Sequence, residues 1–144
     1  MKIYTIGFTK KSAKEFFSIL KKSDIKTVLD VRLNNNSQLF GFSKYPDLPF
    51  FLKELCDINY IHNTDFAPTK DLLKDYKSKN INWETYEHEF NNIIIKRNIC
   101  EKIKKLDLDR LCLLCSEKEP DFCHRRLIAE YIKEMYEGVE IIHL

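Results

Sequence analysis

Residues 111–126 read LCLLCSEKEPDFCHRR. The stretch passes from a wholly apolar run into a polar turn and then into the head of a helix. Leu111 to Cys115 lacks the polar/apolar alternation of a half-exposed strand, and Arg110 to Cys115 predicts a strand covered on both faces. From Phe122 onward, Ile128, Tyr131, Ile132, Met135 and Tyr136 recur at helical spacing. A strand followed by a turn and a helix start is where open α/β sheets place their sites. Other strand ends are therefore expected to bring their polar groups to this turn.

Working outward, strand and helix patterns alternate along the chain. Lys2 to Ile6 predicts a short buried strand, stopped by Gly7. Ser12-x-x-Glu15 is a capping box ahead of Ala13, Phe16, Phe17 and Leu20 on one helical face. Ile25 to Val31 predicts a second buried strand, ending in Asp30 and Arg32. A polar stretch, Asn34 to Gln38, and an aromatic one, Leu39 to Phe42, follow as a long loop. Asp47 is placed to cap a helix that tolerates Pro49 in its first turn. Asn59 to His62 predicts a third strand, Thr69 to Tyr76 a short helix, and Asn82 the cap of a longer one. Ile99 to Leu106 predicts a further helical stretch. Gly138 closes the last helix, and Val139 to His143 is the closing strand. The expected architecture is α/β: a single three-layer domain over residues 1–144, with a mostly parallel sheet flanked by helices.

At 144 residues the chain suits one domain with a real core. The net charge of +2 is too small to argue for a nucleic-acid partner. No apolar run approaches the ~20 residues of a membrane span, and no membrane partner is expected. The five cysteines are an odd count, and Met1 to Ile6 reads as a strand rather than a leader. These point to reduced thiols and a cytoplasmic location. Among 24 basic residues only Arg32, Arg97, Arg110, Arg125 and Arg126 are arginine, so each is expected where a planar, forked donor is needed.

The chemistry concentrates on the central turn. Asp121 is expected to cap the last helix, leaving the amides of Phe122, Cys123 and His124 free. Arg125 and Arg126 follow, so this helix start, with Arg32, is the candidate anion site. Cys123, in a first helical turn near arginines, is the expected reactive thiol, with Cys115 second. Asp30, His62 and Glu117 are candidate acid–base groups. Against this stands a structural reading, in which Asp30 pairs with Arg32 or Arg125 and the motif only staples the sheet end.

Spacing bears on two familiar templates. Cys112-x-x-Cys115 resembles a zinc half-site, but residues three apart on a strand face opposite ways. No structural metal is expected, and no single motif demands a site built from Cys115, Cys123, His62 and His124. The cysteine-phosphatase signature places an arginine where this chain has Asp121 (counting from Cys115) or Ala129 (counting from Cys123), so that signature is absent. Asp30-Val31-Arg32 resembles a tripeptide of rhodanese domains. No cofactor is identified.

Taken together, the motifs resemble the domain-of-unknown-function family 488 over nearly the whole chain. The resemblance is carried by Thr5-Ile6-Gly7, by Asp30-Val31-Arg32 with Ser37, and by Tyr60-x-His62. Leu114-Cys115-Ser116-Glu117 with Cys123-His124-Arg125-Arg126-Leu127-Ile128-Ala129 carries it most specifically. The chain departs from the family pattern at Phe8 and Thr9, where histidine and serine are common, and at Gln38, where arginine is. The resemblance implies an intracellular α/β domain with its motifs on one side of the sheet, and it supplies no reaction. The leading expectation is an enzyme acting on a phosphate- or other anion-bearing substrate, such as a nucleotide or nucleic acid. Its competitor is a non-catalytic nucleic-acid-binding or regulatory module using Phe40, Phe42, Lys44 and Tyr45.

Overall fold

A computed structural model describes residues 1–36 and 41–144. Five strands form one sheet: β1 (Lys2–Gly7), β2 (Thr27–Asp30), β3 (Asn59–His62), β4 (Leu111–Cys115) and β5 (Glu140–His143). Their order is β3-β2-β4-β1-β5, and every pairing is parallel. Six helices cover the sheet: α1 (Ala13–Lys22), α2 (Asp47–Cys56), α3 (Lys70–Lys77), α4 (Trp83–Lys96), α5 (Ile99–Ile103) and α6 (His124–Met135). The result is the expected three-layer α/β domain. Among the described residues no helix is long and apolar enough to cross a membrane.

Local chemistry sets most helix starts. The side chains of Ser12, Thr69 and Asn82 each accept a backbone N–H from the first turn of α1, α3 and α4. Two starts differ from the sequence expectation. Helix α2 begins at Asp47, which is itself helical, and its cap position, Pro46, makes no side-chain bond. Helix α6 begins after Cys123 rather than after Asp121. The Cys123 amide donates to the Pro120 carbonyl (3.1 Å), so residues 120–123 close a tight turn before the helix can start.

The sheet divides the core in two. On one face Phe16, Phe17 and Leu20 of α1 and Leu48 and Leu52 of α2 pack with Ile6, Val28, Cys112 and Leu114. On the other face Phe90 and Ile94 of α4 and Leu127, Ile128 and Ile132 of α6 pack with Ile3, Leu29, Leu113 and Cys115. Cys112 and Cys115 thus belong to opposite faces, as their spacing predicts.

This topology creates a crevice. Neighbouring strands β1 and β4 send their following helices, α1 and α6, to opposite faces of the sheet. A parallel sheet opens between the carboxyl ends of such strands, because no connection crosses the gap. The ends of β1, β2 and β4 meet there.

Candidate functional site

Three loops at this sheet end line a cavity of about 410 Å³. Phe8 and Thr9 enter from β1, Arg32 to Asn34 from β2, and Cys115 to Glu117 from β4. Tyr76, Tyr86 and Phe122 supply an aromatic wall, and Cys123 and His124 come from the head of α6. Phe122 is exposed, whereas Tyr86 is buried behind Trp83, with ring centroids 5.0 Å apart.

Cys115 is the last residue of the central strand and is buried beside the cavity. Its Sγ lies 3.8 Å from His124 Nδ1. The opposite nitrogen of that ring, Nε2, is 2.7 Å from the Val31 carbonyl oxygen. A carbonyl can only accept, so Nε2 carries the hydrogen and the Nδ1 lone pair faces the sulfur. Phe90 packs against the imidazole at 5.4 Å and fixes its plane.

The two thiols at the site are not equivalent. A hydrogen bond from Cys123 holds the Cys115 thiol below its ordinary range; burial opposes this, and the Ser116 amide adds to it. Burial pushes the Cys123 thiol well above its ordinary range, and donation to Cys115 pushes it further. The sequence expectation favoured Cys123 for its place in a first helical turn near arginines. In the fold Cys123 is the cap residue, 3% exposed, and desolvation of its charged form outweighs the helix end. Cys112, fully buried in the other core, is also shifted up by burial.

The arginines do different work from one another. Arg125 is fully buried, and its guanidinium donates to the carbonyls of Glu117 and Lys118 (3.2 Å to the latter) and to Thr5 Oγ1 (3.3 Å). Thr9 holds the preceding carbonyl, Ser116, through both its amide (3.1 Å) and its hydroxyl (2.6 Å). The carbonyls of three successive residues therefore face Thr9 and Arg125. A trans peptide sets each N–H opposite the neighbouring C=O, so the amides of Glu117, Lys118 and Glu119 are turned the other way. Gly7 makes this arrangement possible, since a Cβ there would lie 1.6 Å from the Glu117 oxygen. Arg126 lies outside the cavity lining, paired with Glu130 (2.8 Å) and the Asp121 carbonyl (3.1 Å) over the face of Trp83.

Arg32 reaches the cavity wall, but its fork is engaged. Nε and Nη2 donate to the two oxygens of Asp30 (2.8 and 2.7 Å), and Nη2 also reaches the Ser43 carbonyl (2.8 Å). Burial lowers the Arg32 pKa and the Asp30 carboxylate more than offsets it, so the net shift is upward. Asp30 is wholly buried and receives a further bond from Tyr60. His62 Nε2 donates to the Arg32 carbonyl (2.8 Å). Asp30 and His62 thus stand behind the wall, holding Arg32, and do not line the cavity.

Of the sequence candidates, Cys115, Glu117, Cys123, His124 and Arg32 share the cavity wall. Asp30, His62 and Arg125 support it from behind, and Arg126 faces elsewhere. Tyr86 and Thr9 line the cavity and were not candidates from the sequence, where Thr9 figured only as a departure from the family pattern. Tyr86 reads there as an ordinary core position of α4. Thr9 lies in a loop whose partner, Ser116, is distant in the chain. The aromatic cluster expected to stack on bases is divided: Phe42 packs into the core against Phe16 and Phe17 at 5.5 and 5.9 Å, Tyr45 is exposed, and Ser37 and Phe40 lie outside the described residues.

The site defines an α/β protein with a paired thiol and imidazole at a sheet switch point. A family model described as "Domain of unknown function DUF488" matches residues 12–132, and the chain belongs to that family. No curated protein and no solved structure matches the chain.

Proposed function

We propose that this protein is an enzyme that transfers a group from a small anionic substrate, phosphate-bearing in the simplest case, through a covalent adduct on Cys115. The observation that carries this reading is the Cys115–His124 pair, with Sγ and Nδ1 3.8 Å apart at the floor of the cavity. A nucleophile beside a base that a third group orients is the pattern of covalent catalysis. Val31 is the orienting group here, and the main chain serves that purpose as well as a carboxylate would.

The residues divide the labour. His124 Nδ1 takes the thiol proton. Cys115 attacks the electrophilic atom, and the leaving group departs with the proton held by His124. Water or a second substrate then attacks the Cys115 adduct and restores the thiol. The Glu117 amide, turned away from Thr9 and Arg125 at the cavity wall, supplies a donor for the anionic part of the substrate, as preorganised dipoles do for developing charge. Glu117 stands in the cavity wall as the available carboxylate. The aromatic wall accommodates an apolar or ring-bearing portion. A cavity of about 410 Å³ suits a small molecule better than a folded partner.

The test is a comparison of two alkylating reagents on the reduced protein, with sites located by mass spectrometry. Iodoacetate is anionic and iodoacetamide neutral. The ratio of their rates at Cys115 is expected to exceed the ratio at the partly exposed Cys100 by about tenfold, one anion contact's worth. Inorganic phosphate should slow labelling of Cys115 and leave Cys100 unaffected. Equal ratios at the two thiols would refute the anion-directed nucleophile.

A further inference from the structure

We propose that Cys115, Cys123 and His124 form a site for one zinc(II) ion, open on its fourth side to the cavity, and that the bound ion silences Cys115 by ligating it. The site stands on its own geometry, and the silencing rests on the nucleophilic role proposed above.

The sulfur atoms of Cys115 and Cys123 and a ring nitrogen of His124 all lie within 4.8 Å of one another. The Cys115 Sγ to Nδ1 distance is 3.8 Å. In a tetrahedral site built from ordinary zinc–sulfur and zinc–nitrogen bonds, such edges measure about 3.6–3.8 Å. One edge is therefore already near its bound length, and the triangle needs only a small contraction. Among the described residues no other group of three His, Cys, Asp or Glu side chains gathers its ligand atoms in this way.

The imidazole is prepared as a ligand. A metal-binding histidine usually donates its second ring N–H to a carbonyl or carboxylate, which fixes the tautomer and aims the lone pair. His124 does this through Val31, at 2.7 Å. Charge favours an ion too. Two thiolates in so buried a place are costly together, while two thiolates, a neutral imidazole and zinc(II) sum to zero. Two sulfurs and an imidazole suit zinc rather than magnesium or calcium, which take oxygen. Three protein ligands leave one position, and Cys115, Cys123 and His124 all line the cavity, so that position opens to it.

The expected outcome is one zinc ion per chain when the reduced full-length protein competes with a chromophoric chelator. Cobalt(II) on the same protein should give thiolate charge-transfer absorption and the intense visible bands of a tetrahedral ion. Cys123→Ser and His124→Gln should each weaken zinc by at least about 100-fold, beyond what loss of an outer hydrogen bond costs. Cys56→Ser should leave it unchanged. The cobalt spectrum uses the wild-type chain, so a poorly folded variant does not decide the matter. No binding at stoichiometric protein concentration, or equal affinity in wild type and Cys123→Ser, overturns the site. Iodoacetamide labelling separates the two proposals. Fast labelling of Cys115 in metal-free protein that zinc abolishes supports both. Zinc binding that leaves the Cys115 rate unchanged overturns the silencing. Zinc binding with Cys115 no faster than Cys100 in metal-free protein overturns the nucleophile and leaves the metal site standing.

Discussion

A Cβ on Gly7 would lie 1.6 Å from the carbonyl oxygen of Glu117 and 3.1 Å from Arg125 Nη1. The end of β1 and the loop after β4 therefore meet backbone to backbone, with a guanidinium locking the contact. Gly7 is needed here for close approach rather than for its backbone angles. The cavity wall depends on this contact, because it holds the Ser116–Lys118 carbonyls to one side.

Gly7→Ala is expected to destabilise the protein by about 2–3 kcal/mol, since the nearest obstacle is backbone and cannot rotate aside. Urea denaturation of wild type and variant measures this. A change within about 0.5 kcal/mol would show that the loop after β4 moves freely. Gly41→Ala serves as a control, because a Cβ at Gly41 meets nothing within 4 Å among the described residues.

Asp30 and Arg32 form a buried pair in which the carboxylate takes three bonds from Arg32 and one from Tyr60. Asp30→Asn leaves a buried guanidinium without its counter-charge and is expected to cost about 3–5 kcal/mol. Tyr60→Phe removes one bond to a charged acceptor and should cost about 1.5–3 kcal/mol. Equilibrium unfolding in urea checks both. If Asp30 were a catalytic acid or base, Asp30→Asn would abolish activity at nearly wild-type stability.

His143 supplies a pH dependence. Its Nδ1 is 2.6 Å from Thr5 Oγ1, and Arg125 Nε already donates to that oxygen (3.3 Å). Partial burial lowers the His143 pKa, Arg125 and Arg126 lower it further, and Glu130 and Asp121 pull the other way. The sign follows from the reference state. The unfolded chain takes up this proton near pH 6.5 and the folded protein does so only at lower pH. Stability is therefore expected to fall as pH drops below about 6.5, until the folded protein also binds the proton. Thermal melts between pH 7.5 and 5 on wild type and His143→Gln are the check. The variant should lose the part of the slope that His143 causes, and parallel curves would assign the slope to other groups.

Much of the architecture was legible in the chain. The strand patterns and the Ser12, Thr69 and Asn82 caps are local signals, and local signals act within a turn or two of their own residue. Residues 111–126 announced a site because buried strands end abruptly and the groups beyond them are polar. The assignment of roles was less legible. Cys123 looked activated because a helix start lowers a thiol pKa, yet its burial reverses the sign. Arg125 looked like an anion ligand, yet each of its guanidinium nitrogens donates to a group within the protein. Both outcomes depend on what lies opposite each side chain across the fold.

The sequence alone determined the α/β class, the family and the strand end where polar groups gather, since hydrophobic periodicity and motif spacing are properties of neighbouring residues. Only the tertiary structure decided the strand order, and with it which loops share the crevice. It also decided that Cys123 is buried at the cap of α6, and that Asp30 and His62 stand behind the wall. Desolvation and hydrogen bonding act through space. Val31 and His124 meet at 2.7 Å although they are 93 residues apart in the chain, and no local pattern in the sequence marks that bond.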